Sequence, residues 1–487
     1  GGLVTIIIPA NSAADTAYEV ANSLRIDDGG KTRFYKTLGT PTSTKIFTIS
    51  LWIKRVSFGT VQFICNQYAD GNDWGKLFFD ASDNLNFFQN SSGSTQCSLI
   101  TSAKFRDPSA WMHICVAVDT TDGTAANRNK MYINGTQVTE FSTETNFSAD
   151  DVGTWNSSGN VMTFGRNADD GSSYLDCYLA EAVFIDGTQN AVTDFGEFNS
   201  DSPTIWQPID VSGLTFGNNG HYLDFEDSGT LGNDANGGTD FTLSYSSSGN
   251  AFSAADQATD TPTNNFCTMN SLDTATGFTI SEGNCKLAWS AAATNFGVTK
   301  AIMGVSAGKW YFEVKYTFGN AGQFGFWDVN DTETNSADIF SAASNSTFEG
   351  LAWRIDSSGN IKECADGQTD DTNVDFTSEN ILGVAFDADA GKIYAFQNNT
   401  EITNQDIGAG TSLMTAVTVS DFYLPFVSGG DGGSGTKTHT SEVNFGGCPS
   451  FALSSAAADE NGYGAFEYAP PSGFLALCTK NLGSDGG

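Results

Sequence analysis

The sequence is poor in basic residues: 22 Lys and Arg stand against 57 Asp and Glu in 487 residues, a formal net charge of −35. Only 16% of the residues are charged, so the imbalance comes mainly from missing cations. A surface of this sign repels phosphate backbones and anionic lipid headgroups. The composition therefore argues against a nucleic-acid-binding protein and against a protein that docks on membranes.

Paired cysteines and long apolar runs are also missing. The nine Cys residues lie far apart with no CxxC pair, which argues against zinc ribbons and redox dithiols. No stretch approaches the 18 apolar residues of a membrane span. The opening Gly1–Pro9 has a short apolar run without a basic region or a cleavage site, so we expect no signal peptide and folding in a reducing cytoplasm.

Few residues are suited to catalysis. The three histidines, His113, His221 and His439, are scattered, and the sequence has no G-x-S-x-G elbow and no P-loop motif. We therefore expect a protein that is not an enzyme. One alternative is a glycan depolymerase, because the run Leu223-Asp-Phe-Glu-Asp227 places two carboxyl groups at alternate positions, as some glycosidases do.

The sequence is rich in glycine, with 53 residues, and in phenylalanine, with 37. Short apolar runs alternate with Gly, Ser, Thr, Asn and Asp, and no long segment has helical periodicity. In one of these runs Phe47, Ile49, Leu51 and Ile53 alternate with polar residues and Trp52, as in a half-buried strand. Asn134-Gly135 is typical of a tight hairpin. The pattern predicts an all-β protein.

A first module is predicted over residues 21–205. Its motifs are Phe47-Thr-Ile-Ser-Leu-Trp-Ile-Lys54, Trp111-Met-His-Ile-Cys-Val-Ala-Val-Asp119, Met131-Tyr-Ile-Asn-Gly135 and Tyr178-Leu-Ala-Glu-Ala-Val-Phe-Ile-Asp186. In this order the motifs resemble the laminin-G and concanavalin A-like lectin pattern. The resemblance implies a jelly-roll sandwich of two antiparallel sheets.

A Gly/Asn/Ser-rich connector is predicted over residues 206–300. It contains Gly217-Asn-Asn-Gly-His-Tyr-Leu-Asp-Phe-Glu226 and Asp260-Thr-Pro-Thr-Asn-Asn-Phe266, which resemble a connector of bacteriophage structural proteins. The segments Ala21-Asn-Ser-Leu-Arg-Ile26 and Ala469-Pro-Pro-Ser-Gly-Phe-Leu-Ala-Leu-Cys-Thr-Lys-Asn-Leu482 resemble the same group. This resemblance implies a virion protein, made in the host cytoplasm and exposed on the particle surface.

A second module is predicted over residues 301–468. Lys309-Trp-Tyr-Phe-Glu313, Gly383-Val-Ala-Phe-Asp387, Leu424-Pro-Phe426 and Val443-Asn-Phe-Gly446 together resemble a SPRY domain. The resemblance implies a second concanavalin A-like sandwich that binds a protein or a ligand. Trp327, Trp353 and the 429–435 loop are candidates for its binding face.

Two loops of the first module, residues 66–74 and 166–174, contain the residue types of a sugar site. Such a site needs aromatic faces to stack on the sugar ring and polar groups to bind its hydroxyls. The candidate glycan ligands are Tyr68, Asp70, Asn72, Asp73, Trp74, Asn167 and Tyr174. Asp169 and Asp170 are candidate Ca²⁺ ligands, since laminin-G-like folds often bind Ca²⁺ through loop carboxylates; no other cofactor is expected. Asp119–Gly123 and Asp387–Gly391 have a similar composition, and ordinary β-turns are the alternative for all four segments.

The sequence thus predicts two concanavalin A-like jelly-roll sandwiches, an N-terminal strand or anchor over residues 1–20 and a C-terminal tail over residues 469–487. We expect a tail fibre, tail appendage or capsid decoration that contacts other virion subunits and host-surface glycan. A homo-oligomer, with a trimer favoured, fits such a role. A purely structural filament or shell subunit is a further alternative.

Overall fold

The computed structural model describes residues 18–245, 251–292, 296–317, 321–331, 348, 350–356, 359–365, 368–413, 416–419, 421–430 and 436–485. Contacts divide the chain into two units between Thr263 and Asn264. The described part of the chain contains no helix with the length and hydrophobicity of a membrane span. The predicted N-terminal strand or anchor lies outside the described residues, apart from residues 18–20, which belong to no strand.

The N-terminal unit is built from short strands joined by turns and three 3-10 helices, Ala125–Asn127, Val192–Asp194 and Ala254–Asp256. Its strands are β1 (Ser23–Ile26), β2 (Arg33–Thr37), β3 (Ile46–Arg55), β4 (Gln62–Tyr68), β5 (Trp74–Phe79), β6 (Asn84–Ser91), β7 (Ser94–Lys104), β8 (Met112–Asp119), β9 (Asn129–Ile133), β10 (Thr136–Gln137), β11 (Phe141–Thr145), β12 (Val161–Phe164), β13 (Cys177–Asp186), β14 (Gly196–Phe198), β15 (Trp206–Pro208), β16 (His221–Leu223), β17 (Thr242–Ser244) and β18 (Gln257–Ala258).

Two antiparallel sheets form the sandwich of this unit. The β3 sheet has the order β10-β9-β8-β3-β13-β1-β18, with β16 also paired to β13. The β5 sheet has the order β11-β7-β6-β5-β4-β12-β2-β17. Their inward side chains, among them Ile49, Leu51, Leu77 and Phe87, form one buried core. This arrangement confirms the predicted all-β jelly-roll fold.

The alternation in β3 predicts a half-buried strand, but the strand is buried on both faces apart from its first residue. The second face is covered by the segment that follows β13. Trp206 of that segment packs so closely that a Cβ on Gly135 would lie 2.2 Å from its ring. Asn134 and Gly135 have φ values of 47° and 73°, as the predicted hairpin between β9 and β10 requires.

The predicted connector is not a separate segment. Three of its short strands extend the N-terminal unit: β16 pairs with β13, β17 with β2, and β18 with β1. Residues from Asn264 on belong to the C-terminal unit. Strands of two or three residues are too short to show a period-2 pattern in the sequence, yet they satisfy backbone groups that a sheet edge leaves unpaired.

The C-terminal unit is a second sandwich. Its strands are β19 (Met269–Thr274), β20 (Phe278–Ser281), β21 (Lys286–Ala292), β22 (Gly297–Ala301), β23 (Lys309–Thr317), β24 (Gly322–Asp328), β25 (Leu351–Ile355), β26 (Asn360–Ala365), β27 (Gln368–Asp375), β28 (Ile381–Asp387), β29 (Lys392–Gln397), β30 (Thr400–Glu401), β31 (Tyr423–Gly429), β32 (Thr436–Asn444) and β33 (Leu475–Ala476). One sheet has the order β19-β22-β31-β24-β25-β26-β27 and the other β20-β21-β32-β23-β28-β29-β30.

The predicted C-terminal tail is part of this second fold. Strand β33 pairs in parallel with β23, Leu477 and Cys478 are buried, and a short helix, Thr479–Asp485, follows. The buried carboxylate of Glu313 holds the preceding segment, because it accepts the backbone N–H groups of Glu467 at 2.9 Å and Tyr468 at 2.8 Å. The apolar residues of the tail therefore complete a core.

All cysteines whose side chains the structure describes, which are all but Cys364, are buried free thiols. They pack as small hydrophobic side chains, in agreement with the absence of paired spacings in the sequence.

Candidate functional site

The first predicted sugar loop is the turn between β4 and β5. The Asp70 carboxylate accepts the N–H groups of Asn72 at 2.8 Å and Asp73 at 3.1 Å. Asp73 in turn accepts the Ser91 hydroxyl at 3.0 Å, which joins the turn to the end of β6. Asp70 and Asn72 are exposed, while Tyr68 and Trp74 are half-buried. The carboxylates of this loop thus stabilise the turn that presents the two aromatic rings.

The second predicted loop follows β12 and has its own internal bonds. The amide of Asn167 is buried and donates to Asp170 at 3.0 Å. Hydrogen bonds from Ser172 and Asn167 lower the pKa of Asp170. The Tyr174 hydroxyl donates to the carbonyl of Gly171 at 2.5 Å. Asn167 and Tyr174 therefore shape the loop, and their contact with a glycan stays a prediction.

The fold brings the two loops together. The side chain of Asn66, on β4, bonds the backbone of the second loop: it donates to the Arg166 carbonyl at 2.8 Å and accepts the Ala168 N–H at 3.0 Å. The Lys76 ammonium lies 3.7 Å from the Asp169 carboxylate. A hydrogen bond between Tyr68 and Asp169 raises the pKa of the tyrosine. Asp169 thus joins the second loop to two strands of the β5 sheet.

An aromatic surface continues from this junction across the outward side of the β5 sheet. Along β5, Trp74, Lys76 and Phe78 are half-buried and alternate with buried residues. The Lys76 ammonium lies 4.4 Å from the centre of the Trp74 ring. Phe63 and Phe78 stack at 4.8 Å, and Phe78 stacks on Phe88 at 5.9 Å. We call Tyr68, Trp74, Phe78, Phe88, Lys76 and Asp169 the aromatic face.

Lys76, Phe78 and Phe88 were not predicted as site residues. For Lys76 and Phe78 the sequence does contain a signal. In Trp74-Gly-Lys-Leu-Phe-Phe79 they follow Trp74 by two and four positions, and such residues lie on the same face of a strand. Nothing in the sequence alone indicates that Phe88 lies beside Phe78, because that contact depends on the pairing of β5 with β6.

The calcium hypothesis receives no geometric support. Within the described residues, no group of three or more His, Cys, Asp or Glu side chains is arranged to hold a metal ion. The Asp169 carboxylate faces the cation of Lys76, and one oxygen of the Asp170 carboxylate accepts hydrogen bonds from Ser172 and Asn167. A Ca²⁺ ion needs six to eight oxygen ligands, so these two carboxylates do not form a site by themselves.

Other candidate segments are structural as well. Asp119 accepts the N–H and hydroxyl of Thr121 within a turn. Asp387 accepts the Ala390 N–H and pairs with Lys309 at 3.1 Å. Trp327 and Trp353 are 1% and 0% exposed, so they are core residues and do not line a binding face. The predicted 429–435 loop is described only to residue 430.

Ser50 and His113 form a pair that resembles part of a hydrolase triad, at 2.8 Å. However, the Trp206 indole N–H donates to Nδ1 of His113 at 3.1 Å, so that nitrogen must accept. Burial lowers the pKa of His113 to about 3, and the single proton of the neutral ring therefore lies on Nε2, facing Ser50. His113 cannot remove the Ser50 proton in this arrangement, and both residues are buried.

The carboxylate pair considered for a glycosidase lies just beyond β16. Asp224 is half-buried and accepts the Glu226 N–H at 3.1 Å, while the side chain of Glu226 is exposed. Burial raises the pKa of Asp224. The hydrogen bond makes Asp224 the first residue of a turn.

Residues 28–191 match the family model described as the concanavalin A-like lectin/glucanases superfamily. The match covers β2–β13 and includes the aromatic face. This part of the N-terminal unit is therefore similar to the concanavalin A-like lectins, the superfamily that its motifs resemble. No curated protein sequence is significantly similar to the chain.

Several solved structures resemble parts of the chain. A putative carbohydrate-binding protein from Bacteroides ovatus is 13% identical and has a TM-score of 0.30 over 47% of this chain and 61% of its own. The SPRY domain of human HERC1 is 14% identical, with a TM-score of 0.26 over 38% of this chain and 99% of its own. A heptameric SAP-like pentraxin from Limulus polyphemus is 16% identical, with a TM-score of 0.27 over 36% and 82%. Structural similarities with identities and TM-scores this low do not indicate a function.

Proposed function

We propose that this chain is a non-enzymatic glycan-binding protein of a bacteriophage particle, and that its aromatic face is the surface that binds the glycan. The observation that carries the glycan proposal is the half-buried Trp74 ring, which lies on the outward side of the β5 sheet beside the Lys76–Asp169 pair. The family match over residues 28–191 fits contacts of this kind.

The aromatic rings supply the apolar part of the interaction. One side of a pyranose ring presents C–H groups, which pack on an aromatic face and bury apolar area. Trp74, Phe78 and Phe88 are partly accessible on one side of the β5 sheet. Because Phe78 stacks on Phe88, the row is held in place before a ligand arrives. A preorganised surface loses little side-chain entropy on binding.

Polar groups beside the rings supply directionality. Lys76 is a donor and Asp169 an acceptor, and the exposed Asp70 and Asn72 lie at the tip of the neighbouring turn. Sugar hydroxyls can both donate and accept, so they fit a surface that offers both kinds of group. Weak binding at one site is expected, because the surface is shallow; several copies in an oligomer would raise the avidity. A trimer would supply this multivalency.

The phage assignment is supported by the resemblance of the longer motifs. In one of them, Asp260 is buried, lies 2.7 Å from the Lys54 ammonium, and accepts the Trp111 indole N–H at 2.9 Å. The motif therefore corresponds to a segment that anchors to the β3 sheet, which gives a physical reason for a specific sequence there. We propose a surface location, as tail fibre, tail appendage or capsid decoration, after synthesis in the host cytoplasm.

The glycan proposal is tested by applying the full chain to an array of bacterial capsular, lipopolysaccharide and cell-wall glycans. We expect a set of related hits whose signal falls in the presence of soluble competing glycan, while the glycans remain uncleaved. Release of shorter oligosaccharides would favour the depolymerase alternative. An array without hits would favour the purely structural subunit.

The particle proposal needs a separate test. Antibodies raised against the chain should label intact phage particles in immunogold electron microscopy, and a cryo-EM map should place the N-terminal sandwich with the aromatic face open to solvent. Absence of the chain from purified particles would contradict the virion assignment and leave the glycan test unaffected.

A further inference from the structure

A second candidate site lies in the N-terminal unit, away from the aromatic face. A cavity of about 360 Å³ opens where β3 ends, β8 begins and the 104–111 segment passes between the two sheets. Sites for small molecules usually have volumes of about 300 to 1,000 Å³. We call this space the β3–β8 cavity.

One wall of the β3–β8 cavity is apolar. Ile53 and Trp111 are fully buried core residues, and Phe105, Met112 and Ile133 are the partly exposed side chains that border them. Trp111 is fixed because its indole N–H donates to the buried carboxylate of Asp260 at 2.9 Å. The apolar wall is therefore formed without a ligand.

The rest of the lining is unusually basic for this chain. Arg55, Lys104 and Arg106 line the cavity, and Asp107 is its acidic residue. One oxygen of the Asp107 carboxylate accepts the N–H and the hydroxyl of Ser109, at 2.8 and 2.6 Å. The whole chain has 57 acidic and 22 basic side chains, so three cations around one cavity differ markedly from its overall composition.

Neighbouring carboxylates neutralise these cations only in part. Arg55 and Arg106 share the single carboxylate of Asp83, at 3.1 and 2.6 Å. Within the described residues, Lys104 has no ion-pair partner, and the buried Nε of Arg55 has no hydrogen-bond partner. The lining thus combines an excess of positive charge and an unused donor with an apolar wall.

We propose that the β3–β8 cavity binds a small ligand that carries a carboxylate on a flat apolar body. The apolar body would pack against Phe105, Met112 and Ile133, and the carboxylate would lie towards the cations at the rim. Burial of apolar area supplies affinity, and the charge-assisted bonds supply selectivity for the anion.

The cavity and Trp74, the ring that carries the glycan proposal, lie at opposite ends of β6. Lys104 is opposite Asn84 at one end of β6, and Trp74 is opposite Asn90 near the other end. Six residues of extended strand separate these positions, which is roughly 20 Å. A change in one site should therefore leave the other unaffected, and this inference does not depend on glycan binding.

The test uses the full chain with 2-naphthoate as probe and the neutral 2-naphthamide as its matched control, both titrated by NMR chemical-shift perturbation. We expect the carboxylate to bind at least about fivefold more tightly than the amide. Lys104→Gln should weaken binding of the carboxylate probe by about the same factor and leave binding of the amide probe unchanged. Lys130→Gln, on the neighbouring strand outside the cavity, should change neither.

A filled cavity provides the second variant. Ala110→Leu adds volume to the lining and should weaken the binding of both probes. The melting temperature of this variant verifies that it folds. Equal affinity of the carboxylate and the amide for the unaltered chain would overturn the proposal, and this result needs no variant. Retention of full naphthoate affinity in Lys104→Gln would overturn the role assigned to the charge.

Discussion

Lys76 on β5 and Asp169 in the loop after β12 lie 3.7 Å apart, although 93 residues separate them in the sequence. The contact joins the two loops that the sequence predicts as separate candidate sites. Burial lowers the pKa of Lys76, while the nearby Asp169 favours its charged form. The pair therefore defines the polar centre of the aromatic face.

Replacing Lys76 by Gln should loosen the loop of residues 166–174 without unfolding the domain. The partly exposed pair contributes at most about 1 kcal/mol, so the effect should be local. We expect faster amide hydrogen exchange in this loop and unchanged exchange in β3 and β13. Lys45→Gln, which removes the exposed pair with Asp150, is the matched control and should leave the loop unchanged. Equal exchange in both variants would contradict the tie between the loops.

The buried pair of Lys54 and Asp260 should be far more important for stability. Asp260→Asn would leave the Lys54 ammonium, which is 0% exposed, without its counter-charge. Losing one partner of a buried pair costs about 3–5 kcal/mol. The exposed pair of Lys45 and Asp150 has a similar distance of 2.8 Å, so Asp150→Asn is a matched control with an expected cost below about 1 kcal/mol. Urea unfolding measures both, and similar costs would show that burial is not decisive.

Glu181 should make stability depend on pH. It is buried, and its carboxyl accepts the hydroxyl of Tyr222 at 2.8 Å and that of Tyr18 at 3.2 Å. Burial raises the pKa of Glu181 to about 8 from 4.5. The folded state therefore holds a proton that the unfolded state releases, so this contribution is complete at low pH and is lost as the pH rises from about 5 to 8.

Glu181→Gln removes this titration while keeping an oxygen acceptor for the tyrosines. We expect the variant to match the original chain at pH 5 and to exceed its stability at pH 9, by on the order of 1–3 kcal/mol. The exposed Glu140→Gln is the control and should show no such difference. Denaturant unfolding at the two pH values measures the free energy of unfolding of each chain. Parallel pH profiles of the original chain and Glu181→Gln would refute the role of Glu181 in the pH dependence.

Calcium should have little effect on the described part of the first domain. Asp169 faces a lysine, and one oxygen of Asp170 already accepts hydrogen bonds from Asn167 and Ser172, so the two carboxylates do not offer the ligands of a multidentate site. We expect millimolar Ca²⁺ or EDTA to shift the melting temperature by less than about 1 °C, because only an ion that binds the native state stabilises it. A larger, saturable rise with Ca²⁺ would contradict this reading.

The sequence predicted the long strands well and the short ones poorly. Runs such as Phe47–Lys54 and Trp111–Asp119 are long enough to show the residue pattern of a strand, and they coincide with β3 and β8. Strands β16–β18 have only two or three residues, and their sheet membership depends on partners far along the chain. Local patterns do not contain that information.

The candidate site was predicted in part for the same reason. Tyr68 and Trp74 could be identified because they lie within a few residues of each other in a turn. That Asp169 lies beside Tyr68, and Phe88 beside Phe78, follows from the order of strands β12, β4, β5 and β6 in the sheet. The contacts of Asn167 and Tyr174 within their own loop likewise require the folded geometry.

Trp74→Ala should separate glycan binding from folding. The ring is half-buried on the outward side of the sheet, so its loss should cost the domain little stability while removing the main stacking surface. Tyr245→Ala is the matched control, because Tyr245 is an aromatic of the same unit that is 54% exposed and outside the aromatic face.

The most direct test is therefore isothermal titration of the full chain, Trp74→Ala and Tyr245→Ala with the strongest glycan from the array. The proposal predicts at least about a tenfold loss of affinity in Trp74→Ala, equivalent to about 1.4 kcal/mol, and no change in Tyr245→Ala. Unchanged affinity in a folded Trp74→Ala variant would contradict the assignment of the aromatic face as the glycan-binding surface.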